Sequence, residues 1–168
     1  TTSSFGARVD FLTGVSGTNG AGLSTTDLDG DGKLDMVTSG WVGGPGGGVF
    51  VTFRNTSTPG NLSFESVERW GGRSDESPVY TAVDIDGDGL PELVSGEGAG
   101  GAGQNVWITQ NMSSPGNIQF GFPLFYFPDT LDDAASGATI RDLNNDGKPE
   151  FILKRNFNGA FTVFTNTS

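Results

Sequence analysis

Apolar positions in this chain come in short runs, and no window sustains a helical spacing. Val49–Phe53, Val106–Thr109, Phe151–Leu153 and Phe161–Phe164 are examples, in a chain whose runs are separated by stretches rich in Gly, Pro, Asn and Ser. Their residues are mainly β-branched or aromatic, which favours strands. In Phe50–Arg54, Phe50 and Thr52 fall on one side while Val51 and Phe53 fall on the other. A strand buried on both faces reads this way. No stretch approaches the roughly 20 apolar residues of a membrane helix. The pattern predicts an all-β chain.

Those runs belong to an internal repeat. DLDGDGKLDMV starts at Asp27, DIDGDGLPELV at Asp84 and DLNNDGKPEFI at Asp142, the starts lying 57 and 58 residues apart. Each is followed by a second matching stretch: VFVTFRNTSTPGNLSF to Phe64, NVWITQNMSSPGNIQF to Phe120, and AFTVFTNTS to Ser168. Three units of this length suit three β-propeller-type blades of about four antiparallel strands each. The whole chain, 1–168, reads as a single repeat domain, with blade 1 at about 1–63, blade 2 at about 64–119 and blade 3 at about 120–168. The third unit stops at NTS, and the chain opens with TTSSF, which resembles the missing tail. Both termini are therefore expected at one repeat boundary. The absence of an initial Met and of a basic–apolar leader reads as a mature or excised fragment.

The acidic segment of each repeat carries the strongest chemical signal. Asp27, Asp29 and Asp31 occupy positions 1, 3 and 5 of the first, with Asp35 at position 9. Carboxylates at that spacing on a tight Gly-containing turn converge on one hard cation. Position 7, Lys33, supplies a backbone carbonyl. The second set is Asp84, Asp86, Asp88, the carbonyl of Leu90, and Glu92; the third is Asp142, Asn144, Asp146, the carbonyl of Lys148, and Glu150. Calcium, at about three ions per chain, is the expected cofactor, with magnesium the runner-up. Asn144 costs the third loop one charge, so that site is expected to be weakest. An EF-hand is excluded, because position 12 is Thr38, Ser95 and Leu153 rather than Glu, and the flanks read as strands.

DLDGDGKLDMV followed by VFVTFRNTSTPGNLSF resembles the FG-GAP/VCBS-type repeat, and the likeness covers essentially the whole chain. Such repeats form the calcium-bearing blades of integrin α-type β-propellers and of many bacterial secreted proteins. The resemblance implies calcium ligation by Asp27, Asp29, Asp31 and Asp35 and by their equivalents. Two features depart from it: these propellers have about seven blades rather than three, and the third loop carries Asn144 and Asn145.

Composition narrows the functional classes. With 168 residues, no Cys and no His, the chain has no disulfide, no Cys or His metal site and no Ser-His-Asp triad. A charge of −11 disfavours nucleic acid as a partner. Eleven of the 20 acids lie in the three loops, so bound calcium would offset much of that charge. The remaining acids, such as Asp129, Asp132 and Glu97, form no catalytic pattern, and no enzyme is expected. Gly98, Gly100 and Gly103 fit G-x-G-x-x-G, but a strand follows instead of the helix a dinucleotide site needs. Trp70 is the candidate for stacking on a sugar ring. Asn55, Asn61, Asn111 and Asn166 head N-x-S/T sequons, although Asn and Ser are also what a turn requires.

The expected function is a secreted, calcium-stabilised repeat module with a structural or adhesive role, extracellular or at the cell surface. Its end blades predict homo-oligomers or filaments through blade faces and chain ends, with glycans or extracellular proteins as further partners and no membrane span. A carbohydrate-binding propeller fragment and an accessory domain of a secreted hydrolase are the alternatives.

Overall fold

The computed structural model describes residues 5–14, 23–41, 48–65, 68–71, 79–96, 106–126, 135–155 and 159–167. Eleven strands and no helix occur among them. The first sheet holds β1 (Leu23–Thr26), β2 (Asp35–Trp41), β3 (Gly48–Phe53) and β4 (Glu68–Gly71), in that order. The second holds β5 (Val79–Val83), β6 (Glu92–Gly96), β7 (Val106–Asn111) and β8 (Phe120–Tyr126). The third holds β9 (Ala135–Arg141), β10 (Glu150–Arg155) and β11 (Phe161–Phe164). Every pairing is antiparallel between sequence neighbours. Each sheet is thus a meander, the form of a propeller blade.

The sheets shift the blade boundaries. The expected divisions after 63 and 119 fall just ahead of β4 and β8, yet these strands pair with β3 and β7. The physical reason is the N-x-S/T-containing stretch, which folds back on itself instead of leading away. Asn55 bridges Phe64, and Thr58 bridges Asn61, so the stretch is a hairpin returning the chain to its own sheet.

The sheets stack, and their apolar side chains meet in two cores. Leu28, Val37 and Phe50 of the first blade pack with Leu93, Ile118 and Phe120 of the second. Val94 of the second packs with Ile140 and Leu153 of the third. Leu93 and Val94 are neighbours on β6, so alternate side chains feed opposite cores. The first strands line up across the stack, β1 against β5 and β5 against β9. In β3, Phe50, Val51, Thr52 and Phe53 are all buried, which bears out burial on both faces. Blade 1 does not leave its outer face bare, because Phe53 meets Phe64 edge-on, and Phe64 meets Phe11 of the N-terminal segment. On blade 3, Phe161 and Val163 remain exposed.

Candidate metal centre

The three loops are wound by their own carboxylates. Asp27 accepts the N–H groups of Gly30 and Gly32, each at 2.8 Å. Asp84 does the same with Gly87 and Gly89 at 2.7 and 2.9 Å, and Asp142 with Asn145 and Gly147 at 2.6 and 2.9 Å. This winding needs left-handed backbone, with φ of 74° at Gly30 and 62° at Asn145. Glycine adopts that region freely and asparagine tolerates it. The position-3 side chain accepts the position-5 N–H in every loop, and position 5 accepts the N–H of Lys33, Leu90 or Lys148. The closing acids Asp35, Glu92 and Glu150 reach back to the N–H of Leu28, Ile85 and Leu143.

The winding draws positions 1, 3 and 9 together. Asp27, Asp29 and Asp35 each bring one carboxylate oxygen within 4.8 Å of the others, as do Asp84, Asp86 and Glu92. Asp31 and Asp88 stand outside these groups. Asp31 instead faces Arg54 at 3.4 Å and Lys33 at 3.9 Å. In the third loop, Asp142, Asp146 and Glu150 form no such group among the described residues. Oxygen-only clusters of this kind suit calcium or another hard cation.

The loops differ in what surrounds them. In the first, Asp29 is fully buried and its Oδ2 accepts from Arg54 Nε at 2.8 Å and from the Gly116 N–H at 2.9 Å. The hydrogen bond to Asp29, then that to Glu65, raises the Arg54 pKa further above its usual value. Both oxygens of Asp35 are engaged, Oδ2 by Leu28 and Oδ1 by the Asn55 N–H. In the second loop, Glu92 is 3% exposed and its Oε1 has no hydrogen-bond partner. Burial pushes the pKa of both Glu92 and Asp35 up. The Ile85 and Asn111 N–H groups pull the pKa of Glu92 down in part. In the third, Asn144 Oδ1 accepts from Asp146, which turns its Nδ2 towards Asp146 Oδ2 and Glu150 Oε1, each at 3.2 Å.

A further comparison concerns ancestry. Residues 27–95 and again 84–153 match the FG-GAP-like repeat, each match spanning from one acidic loop past the next. The chain belongs to the FG-GAP-like repeat family. Comparison with curated proteins and with solved structures finds no match. Family membership agrees with the all-β meanders. Within this FG-GAP-like chain, Asp27, Asp29 and Asp35, and likewise Asp84, Asp86 and Glu92, could hold a metal ion, and the buried Glu92 oxygen without a hydrogen bond is the observation that fits the second group to one.

The FG-GAP-like blades are joined through these same loops. Asn111 of blade 2 is buried and donates both amide hydrogens, to Leu28 O of loop 1 at 2.9 Å and to Pro91 O of its own blade at 3.0 Å. Asn166 of blade 3 donates to Ile85 O of loop 2 at 3.2 Å. Asn55 donates to Leu34 O, the equivalent of Pro91 O. Two expected sequons are therefore structural staples, and a glycan on Asn111 is incompatible with this packing. Asn61 remains exposed at its turn. Trp70 pairs with Phe50 through the backbone, while its side chain lies outside the described residues. Arg54 and the Gly116 turn were not expected at the site. The available signal was a charge difference at one aligned position, since the residue before the N-x-S/T Asn is Arg54, Gln110 and Thr165 in turn.

Proposed function

We propose that the chain is an extracellular, calcium-stabilised β-propeller-type repeat module with a structural or adhesive role and no catalytic activity, assembling with further copies through its blade faces. One observation carries this reading: the first two acid loops are themselves the joints between blades. The carbonyl of loop position 2 accepts from the Asn of the next blade at both junctions, Leu28 from Asn111 and Ile85 from Asn166. A cation that stiffens the loop therefore stiffens the joint. Leu143 holds the same position in loop 3, and Asn55 the same position in blade 1. A second copy whose Asn55 met Leu143 O would continue the same contact, covering the exposed Phe161 and Val163 of blade 3. Contacts of this head-to-tail type build rings or filaments. Extracellular millimolar calcium saturates even modest sites.

Mass in solution, measured with calcium and with chelator, tests the reading. Multimers in calcium that fall apart in chelator are expected. A strict monomer under both conditions overturns the assembly claim.

A further inference from the structure

The three loops satisfy their carboxylates in three different ways, and only one way needs an ion. We propose that Arg54 is a built-in counter-ion of the first loop, so that the chain holds one tight calcium ion, in the blade 2 loop, rather than three equal ones. The proposal rests on the calcium reading above and goes beyond it by assigning the loops unequal roles.

Arg54 spans three carboxylates at once: Nε on Asp29 at 2.8 Å, Nη2 on Asp31 at 3.4 Å and Nη1 on Glu65 at 3.1 Å. Its single positive charge thus offsets at most one of the four negative charges of loop 1, while its donors engage two of the four acids, without any metal. A cation entering there meets a lower negative charge or has to displace the guanidinium, and ligand charge count sets calcium affinity. The buried Asp29 is further fixed by the Gly116 N–H, which holds its Oδ2 in the blade junction. Loop 3 reaches a similar end with an amide, because Asn144 Nδ2 donates to Asp146 and Glu150 from inside the loop. Loop 2 has neither device. Gln110 stands where Arg54 does, Asp86 stands where Asn144 does, and the buried Glu92 Oε1 makes no hydrogen bond. A buried ionised oxygen with no partner is costly, and a cation is the partner that the adjacent Asp84 and Asp86 carboxylates would share.

Equilibrium dialysis and native mass spectrometry of the full chain, stripped with chelator and titrated with calcium, test this. The expected result is one ion bound about ten-fold or more tightly than any other. Glu92→Gln is expected to remove it. Arg54→Gln is expected to add a second ion of comparable affinity, and Asn144→Asp to strengthen the third site. Two or three ions of like affinity in the unaltered chain overturn the proposal, as does a folded Arg54→Gln variant with unchanged stoichiometry. If Arg54→Gln loses its strand signal in circular dichroism, the unaltered chain and Asn144→Asp, whose changed residue is exposed, decide the matter. No bound ion at all overturns the calcium reading itself, whereas equal sites overturn only the unequal roles.

Discussion

Glu92 and Asp35 hold the same loop position in successive blades, yet one extra methylene separates their surroundings. Asp35 has donors on both oxygens, while Glu92 keeps one buried oxygen unpartnered. Glu92→Gln should therefore act in opposite directions under two conditions. In chelator it removes a poorly satisfied buried charge and is expected to stabilise by about 1–3 kcal/mol. In calcium it removes a ligand and is expected to destabilise. Denaturant melts under both conditions check the crossover, and destabilisation of similar size in both would count against it. The same residue sets a pH dependence. Burial raises its pKa above the ordinary 4.5, so the folded metal-free chain takes up a proton more readily than the unfolded one. That contribution is fully present below 4.5 and is lost as pH rises through the folded value. Metal-free protein should thus gain stability from Glu92 on acidification from neutral pH, and the Glu92→Gln variant should show a flatter profile.

Among the elements, the turn and the loop cooperate across each blade junction. Asn111→Ala strands the carbonyls of Leu28 and Pro91 in a buried place and also removes the acceptor for the Ser113 N–H. A loss of about 2–4 kcal/mol is expected, read from urea melts. Phe50→Ala empties the first core and is expected to cost about 3–5 kcal/mol. A loss under 1 kcal/mol in either case would contradict the packing described. Strands β3, β7, β10 and β11 were legible in the sequence because runs with apolar residues on both sides have few other uses. The loops were legible because the carboxylate spacing and the glycines recur together. Strands β4 and β8 were not legible, since a repeat phased on its acid loop does not reveal which sheet its last strand joins. Arg54 stood out only as a charge difference at one aligned position, because its contact with Asp29 spans 25 residues and depends on how β3 passes the loop.

At the scale of the whole molecule, three meanders stack through two cores, and the first two acid loops lie at the joints. The formal charge of −11 is therefore not spread evenly over a surface. Eleven of the 20 acids lie in the three acid loops, and Arg54 partly offsets the charge of the first. On the proposed reading, an ion bound in the second loop adds to the cohesion of the stack by mass action on the folded state. A ligand at about a thousand times its dissociation constant adds about 4 kcal/mol. The most direct test is the melting temperature of the intact chain in millimolar calcium against chelator at neutral pH. A clear rise with calcium, absent in Glu92→Gln, is predicted; coincident melting curves for the unaltered chain would contradict the account.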